Sequence, residues 1–228
     1  MAQVATIARR QLAIEEGDRG LFITLEGGEG AGKSAQAAAL AERLEARGRG
    51  AICTREPGGT RLGERLREML LGLSDETHEP DPLTETILFA AARAELVASV
   101  ILPALTLGEV VLCDRFADST VAYQGYGRGV DLALIEQINR VATHGLRPRL
   151  TVLLDLPAAD GLARAAPGGL NDRFEQEDID FHERVRAGYQ ELAASEPARW
   201  LVVDATLPFE TVTDQIWARL APLLDRPE

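Results

Sequence analysis

Short apolar runs alternate with longer amphipathic stretches along most of this chain. Continuous apolar runs are typical of strands buried on both faces of a parallel sheet, and the pattern predicts such strands at 21–26, 50–54, 109–114, 150–155 and 200–204. Apolar positions at helical spacing predict helices near 33–48, 61–72, 84–107, 131–144, 178–195 and 208–221. This alternation indicates a three-layer α/β fold with a five-stranded parallel sheet, in which ligands bind beyond the carboxyl ends of the strands.

The predicted elements form one continuous series. Residues 21–228 contain no internal repeat and no low-complexity linker, so we expect a single domain of ordinary size. Residues 1–20 carry as many Arg as acidic residues and lack the long apolar segment of a secretory signal. We expect them to form an N-terminal extension outside the fold.

Charge and composition restrict the partners. The formal net charge is −12, so the overall field opposes nucleic acid and anionic membranes, although a local basic cluster could hold a small anion. No run approaches ~18 consecutive apolar residues, and we therefore expect no membrane span. Cys53 and Cys113 lie within apolar runs, which predicts reduced core residues in a cytoplasmic protein.

A glycine-rich loop follows the first predicted strand and leads into an Ala-rich helix. It matches G-x-x-x-x-G-K-[ST] and consists of Gly27, Gly28, Glu29, Gly30, Ala31, Gly32, Lys33 and Ser34. In such a loop, backbone N–H groups and the helix N-terminus surround phosphate oxygens, the Lys reaches the terminal phosphates and the Ser hydroxyl ligates Mg²⁺. Lys33 is the only lysine in the chain, which suggests that this position needs a compact ammonium.

The residues around this loop distinguish among nucleotide-binding proteins. A guanine-binding Asn-Lys-x-Asp motif would need a second lysine, so an ordinary GTPase is excluded. The third strand ends in Asp114-Arg115, and an Arg after the acid suits a second anion better than activation of water. We expect Asp114 to be structural or to ligate Mg²⁺ with Ser34. Glu29 either faces an acceptor or is simply solvated.

Three further clusters predict an acceptor that carries a phosphate. Arg55 and a Gly-rich turn follow the second strand, and Phe89 and Arg93 lie four residues apart on one helix face. Arg115 is followed by polar and aromatic residues, namely Ser119, Thr120, Tyr123 and Gln124. Taken singly, Phe89 could be a core residue, Arg93 a surface ion-pair partner and Arg115 a strand-end salt bridge. Jointly they place donors and an aromatic ring near one sheet edge.

These motifs together resemble the bacterial thymidylate kinases, a family of P-loop nucleoside-monophosphate kinases. The resemblance rests on Glu26–Ser34, Thr54–Thr60, Leu88–Arg93, Asp114–Phe116 with 119–129, and Asp172–Glu175, and it extends from about Leu21 to the last helix. It implies the P-loop NTPase fold and transfer of the ATP γ-phosphoryl group to dTMP with Mg²⁺, for dTTP synthesis. It also implies a homodimer.

The resemblance assigns roles to the candidate residues. Phe89 would stack on thymine, Arg93 would donate to the pyrimidine O4, and Arg55 and Arg115 would hold the dTMP phosphate. Tyr123 would crowd the sugar 2′-position. The nucleoside pocket would also be lined by Ser119, Thr120 and Gln124. Glu29 would approach the 3′-hydroxyl or a water on Mg²⁺, and Lys33, Arg115 and Glu29 would act in catalysis.

The chain departs from the family pattern in the lid expected at about 160–175. Ala166 and Gly168 stand where extra arginines are expected, so Arg164 and Arg173 alone would cover the transferring phosphoryl group. Ala35 replaces a Thr that is common in the family, which removes one α-phosphate contact. We therefore expect a modest enzyme with Arg173 as its main charge clamp.

Other readings remain open from the sequence. A deoxynucleoside kinase, another nucleoside-monophosphate kinase, a P-loop sensor that binds ATP without transfer, or a degenerate kinase would each retain the phosphate loop. The sensor does not explain the segments 54–60 and 123–129, and the degenerate kinase rests only on the arginine-poor lid. The three histidines, His78, His144 and His182, are scattered and indicate no metal site.

Overall fold

A single parallel sheet forms the centre of the molecule. The computed structural model describes residues 20–72, 80–165 and 172–224. The strands are β1 (Phe22–Glu26), β2 (Ala51–Arg55), β3 (Val110–Asp114), β4 (Leu150–Asp155) and β5 (Trp200–Asp204), in the spatial order β2-β3-β1-β4-β5. All neighbouring pairs are parallel. Each predicted strand is present, and no bound differs from the prediction by more than a single residue.

Helices cover both faces of this sheet. They are α1 (Lys33–Glu45), α2 (Arg61–Leu70), α3 (Pro82–Leu96), α4 (Leu102–Thr106), α5 (Ala117–Thr120), α6 (Leu132–Ala142), α7 (Ala158–Ala165), α8 (Ile179–Ser195) and α9 (Phe209–Leu224). Two π-helical segments, Val97–Ile101 and Val121–Gly127, continue α3 and α5. The predicted three-layer α/β architecture is therefore confirmed.

Two apolar layers hold the helices to the sheet. On one face, Leu40 of α1 and Ile216 of α9 pack against β1 and β4. On the other face, Leu96 and the first π-helical segment pack against β1 and β3, while Phe181 and Tyr189 of α8 pack near β4. Strands covered on both sides explain why their sequences read as continuous apolar runs.

The long helix predicted at 84–107 is interrupted. The π-helical segment Val97–Ile101 separates α3 from α4, and Pro103 lies in the first turn of α4, where proline is tolerated. By length and composition alone, Pro82–Thr106 could cross a membrane. However, α3 packs against α2 and α6 and carries Arg93, which is buried in an ion pair with Glu56, so this is a core helix.

Two features differ from the sequence-based expectation. The segments α5 with Val121–Gly127, and α7, are helical although no helix was predicted there. Cys53 was predicted to be a core residue, and this is wrong, because the side chain is exposed on β2, an edge strand with only one neighbour. Cys113, on the interior strand β3, is buried as predicted. The predicted extension at 1–20 lies, apart from Gly20, outside the described residues, as does 166–171 of the predicted lid.

Candidate active site

The loop between β1 and α1 adopts the conformation that its glycines permit. Gly30 and Gly32 have positive φ angles of 63° and 89°. A Cβ on Gly30 would lie 2.1 Å from the carbonyl oxygen of Gly161, so a larger residue has no room there. Lys33 begins α1, and its Nζ donates to the carbonyl oxygen of Gly28 at 2.7 Å. The ammonium therefore lies beside a helix N-terminus, where backbone N–H groups attract phosphate.

A first cavity, the phosphate cavity, opens at this loop. It is lined by Glu29, Gly30, Gly32, Lys33, Ser34, Ala35, Arg55, Glu56, Arg67, Asp114 and Arg115. The Ser34 hydroxyl donates to the Asp114 carboxylate, so the two predicted metal ligands lie together. Within the described ranges, no group of three or more His, Cys, Asp or Glu could hold a metal. Mg²⁺ bound through substrate phosphates needs only one or two protein ligands, and this pair fits that requirement.

Arg115 is the best-connected side chain in the phosphate cavity. It follows β3 with a φ of 67°, which is unusual for a residue other than glycine. Its Nη1 donates to the carbonyl oxygen of Gly27 at 2.8 Å and to the Tyr189 hydroxyl at 3.3 Å, while Nη2 donates to Glu29 Oε1 at 2.8 Å. The backbone and three partners thus fix the guanidinium between the loop and the third strand.

Glu29 is a largely buried carboxylate that stays ionised. Burial alone would raise the pKa of Glu29, but the charges of Arg115 and Lys33 and a hydrogen bond from Tyr123 outweigh it and lower the pKa to about 2. The Tyr123 hydroxyl donates to the same Oε1 atom at 2.7 Å. The predicted solvated alternative for Glu29 is therefore wrong, because this side chain belongs to the cavity wall.

A second cavity, the base cavity, adjoins the first. It is lined by Glu29, Glu56, Pro57, Arg67, Leu71, Phe89, Arg93, Arg115, Phe116, Ser119, Thr120, Tyr123, Gln124, Asp172 and Phe174. Four residues line both cavities, namely Glu29, Glu56, Arg67 and Arg115. The structure therefore brings together all residues that were predicted to bind the phosphate-bearing acceptor. Arg55 lines the phosphate cavity, and the others line the base cavity.

Arg93 is a buried donor with most of its hydrogen bonds already made. Its Nε donates to Glu56 at 2.8 Å and one Nη1 hydrogen to Asn139 Oδ1 at 2.6 Å. Nη2 donates to the Thr120 hydroxyl at 2.7 Å and to the carbonyl oxygen of Phe116 at 3.3 Å. A guanidinium has five N–H groups, so one hydrogen on Nη1 remains. The predicted alternative of a surface ion pair is wrong, because Arg93 is 1% exposed.

The wall of the base cavity contains aromatic rings. Phe89 is half-buried and meets Phe174 edge-on, with ring centroids 5.9 Å apart. Tyr123 meets the same ring edge-on at 5.8 Å. Edge-to-face contacts fix the orientation of aromatic rings and leave other ring faces available for stacking.

The arginines predicted for the lid have other partners. Arg164 Nη1 donates to the carbonyl oxygen of Ala205 at 2.9 Å. Arg173 Nη2 donates to Leu70 O at 2.9 Å and to Glu85 Oε2 at 2.7 Å. Neither lines the phosphate cavity, so the described conformation does not bring the predicted charge clamp to the phosphate loop.

Sequence reasoning missed several residues of the two cavities. Arg67 lines both, and its Nη1 donates to the carbonyl oxygen of Pro57 at 3.0 Å. Burial lowers the pKa of Arg67 despite the nearby Glu64. Tyr189 and Asn139 hold Arg115 and Arg93 from distant helices. Arg67 lies on the helix predicted at 61–72, directly after the Gly-rich turn that follows the second strand, and this position was the only signal in the sequence.

The fold and the two adjoining cavities define a P-loop nucleotide kinase. A model of the family described as thymidylate kinase matches residues 25–216. The chain belongs to the thymidylate kinase family, and it is therefore a kinase that phosphorylates dTMP to dTDP on the route to dTTP. The comparisons give no support to the alternative of a deoxynucleoside kinase.

Individual relatives agree with this assignment. The chain is 55% identical to a thymidylate kinase of Deinococcus radiodurans, over 89% of this chain and 97% of that protein. It is 54% identical to a thymidylate kinase of a Synechococcus species, over 90% and 96% of the two chains. A crystal structure of thymidylate kinase from Ehrlichia chaffeensis matches with a TM-score of 0.71 and 34% identity, covering 89% of this chain and 99% of that one.

Proposed function

We propose that this kinase uses Mg-ATP as donor and binds it in the phosphate cavity, with dTMP in the base cavity. The observation that carries the proposal is the set of four residues common to both cavities, since a phosphoryl group must pass between two sites that share a wall. On the donor side, residues 27–34 would surround the phosphates, and Lys33 would reach the terminal one. Ser34 and Asp114 would hold Mg²⁺, which supplies charge neutralisation on the transferring group.

The acceptor phosphate would be held by arginines. Arg115 presents a fixed guanidinium at the border of the two cavities, and Arg55, more exposed, pairs with Glu64 at 3.1 Å. Arg67 joins this set because it lines both cavities. Arginine binds phosphate oxygens through two parallel N–H groups, which fixes the acceptor's orientation as well as its charge. Because the acceptor is already an anion, in-line transfer needs positioning and neutralisation rather than a strong base.

The base cavity would recognise the nucleoside. Phe89 would stack on the pyrimidine, and the remaining Nη1 hydrogen of Arg93 would donate to O4. Ser119, Thr120 and Gln124 would line the pocket. Tyr123, fixed by Glu29, would crowd the sugar 2′-position and so favour deoxyribose, while Glu29 would approach the 3′-hydroxyl or a water on Mg²⁺.

The test of the whole proposal is ADP release from Mg-ATP with dTMP, dUMP, dCMP, dGMP, UMP and thymidine offered separately. We expect release with dTMP to exceed that with every other acceptor and to vanish when EDTA removes Mg²⁺. Release with thymidine but not with dTMP would instead indicate a nucleoside kinase. An absence of release with all acceptors would favour a protein that binds nucleotide without transfer.

Arg173 and Arg164 would act in a lid at about 160–175, as the charge clamp. In the described conformation both have backbone partners, so Arg173 would have to leave Leu70 and Glu85 to reach the phosphoryl group. We expect Arg173→Ala to lower kcat by at least ~10-fold in steady-state assays. Arg147→Ala removes an exposed arginine paired with Glu196 and is the matched control. An unchanged turnover in Arg173→Ala would contradict this role.

The family resemblance supports a proposal about the assembly. We propose a cytoplasmic homodimer with no nucleic-acid or membrane partner. Apolar side chains are exposed on α2 and α3, namely Leu62, Met69, Leu83 and Ile87. These two helices pack side by side, so their exposed side chains offer an apolar surface for a second copy.

A further inference from the structure

The orientation of the Gln124 amide is determined by an acidic residue behind it. Gln124 is 1% exposed and lines the base cavity. Its Nε2 donates to Glu85 Oε1 at 2.8 Å. A side-chain amide can present either its N–H₂ or its carbonyl oxygen to a ligand, and the choice depends on the partner at its other end. At Gln124 that partner is a carboxylate.

Glu85 is itself fixed by positive charge. It lies in the first turn of α3 and is 1% exposed. Arg173 Nη2 lies 2.7 Å from its Oε2, and Arg128 Nε lies 3.6 Å from its Oε1. An ionised carboxylate only accepts hydrogen bonds, so the amide nitrogen of Gln124 must point toward Glu85. Its carbonyl oxygen, Oε1, consequently points away from Glu85.

We propose that Glu85 is a positioning residue that sets base specificity, because it forces Gln124 to present a hydrogen-bond acceptor to the pyrimidine N3 position. This inference rests on the proposed binding of dTMP in the base cavity. Thymine has a hydrogen on N3 and an oxygen at position 4. Cytosine has an unprotonated N3 and an amino group at position 4, so its edge has the opposite polarity.

Gln124 and Arg93 then form a complementary pair. Gln124 Oε1 accepts a hydrogen bond from N3–H, and the Arg93 Nη1 hydrogen that does not bind Asn139 donates to O4. Both side chains are held by acceptors behind them, Gln124 by Glu85 and Arg93 by Glu56 and Asn139. With dCMP, Gln124 Oε1 would face the unprotonated N3, which is also an acceptor, and Arg93 Nη1 would face the 4-amino group, which is also a donor. Buried polar groups that lack partners in this way are costly.

The experiment compares kcat/KM for dTMP with kcat/KM for 5-methyl-dCMP. These nucleotides share the sugar, the phosphate and the 5-methyl group, so their ratio isolates the edge at positions 3 and 4. In Glu85→Gln, the new amide can donate to Gln124 Oε1, and Gln124 is then free to turn its N–H₂ into the cavity. We expect the ratio of kcat/KM for dTMP to kcat/KM for 5-methyl-dCMP to fall by at least ~10-fold. A change of this size corresponds to the loss of about one hydrogen bond that distinguishes the two bases.

A structural role for Glu85 would give a different result. Glu85→Gln also leaves Arg173 without its charge partner, which can lower kcat/KM for both nucleotides, but a general loss cancels in the ratio. An unchanged ratio in folded Glu85→Gln would overturn the inference. Glu196→Gln is the matched control, since it removes a carboxylate paired with Arg147 and Arg199 at 2.7 and 3.3 Å and should leave the ratio unchanged.

Two further variants show whether Glu85 acts through Gln124. Gln124→Met removes the amide and should lower the ratio by itself, and adding Glu85→Gln to it should lower the ratio no further. An additive effect in the double variant would overturn the inference. Glu85→Asp keeps the charge but moves the carboxylate away from Gln124. If Glu85→Gln does not fold, Glu85→Asp replaces it in the same comparison, and the ratio should again fall. A wild-type chain inactive on dTMP would instead refute the proposed substrate binding.

Discussion

Replacing Arg115 by Met is expected to lower kcat/KM for dTMP by about 10²–10³-fold, because the variant leaves the largely buried Glu29 carboxylate without its charge partner and removes the proposed ligand of the acceptor phosphate. Arg115 lies 2.8 Å from Glu29 and lines both cavities. Steady-state kinetics with dTMP varied at saturating Mg-ATP measures the loss. Circular dichroism and thermal unfolding verify that the variant remains folded.

The pH profile of this variant adds an independent readout. Burial favours the neutral form of Glu29, and Arg115 is the main group that opposes it and lowers the pKa to about 2. Without Arg115 the pKa of Glu29 rises, so Glu29 becomes protonated at a higher pH than in the wild type. The residual activity of the variant should therefore fall on acidification over a pH range in which Glu29 of the wild type stays ionised. Arg43→Met removes an arginine paired with Asp214 at 2.8 Å and is the matched control. Wild-type kinetics in Arg115→Met would contradict the assignment.

The strands of the sheet could be predicted because their burial is visible in their own local sequence. Strands buried on both faces consist of apolar residues, and helices that cover them have apolar positions at helical spacing. The second π-helical segment, Val121–Gly127, was not predictable in the same way. Its sequence contains Gly125 and Gly127, which lower helix propensity, yet α8 packs closely against it. A Cβ on Gly127 would lie 2.6 Å from the Phe181 ring, so tertiary packing requires glycine there.

The site was predictable where residues follow strands. The carboxyl ends of parallel strands lie at one edge, which is why Arg55, Asp114 and Arg115 could be placed beside the phosphate loop from the sequence alone. Residues that orient others were missed, because their partners are distant in sequence. Glu85 contacts Gln124 and Arg173, and neither spacing corresponds to a local motif. Such pairs are determined by the packing of α3 against neighbouring elements.

Cys53 shows the same limit within the sheet. Its flanking residues suggest a buried strand, and only the spatial order of the strands places β2 at the edge. The apolar pattern predicts that a strand exists, but the position of that strand in the sheet depends on the connections. Burial at Cys113 and exposure at Cys53 therefore arise from topology rather than from local sequence.

Replacing Lys33 by Arg is expected to lower kcat by about 10²–10³-fold even though the positive charge is retained. The Nζ atom lies 2.7 Å from the Gly28 carbonyl oxygen within a closely packed loop, and the residue is 8% exposed. A guanidinium is planar and larger than an ammonium, so it cannot occupy the position from which Lys33 is proposed to reach the terminal phosphates. Burial lowers the pKa of Lys33, although nearby Asp114 and Glu29 oppose this effect.

A comparison with Lys33→Met separates shape from charge. Met has a similar length and no charge, and we expect it to be as inactive as Arg in single-turnover assays at saturating Mg-ATP. Lys33 is the only lysine beside 23 arginines, and a requirement for the shape of the ammonium would explain why this position keeps Lys. If Lys33→Arg kept activity within tenfold of wild type while Lys33→Met lost it, charge alone would suffice, and the single lysine would have no structural explanation. Equal losses in both variants would identify the compact ammonium as the required group.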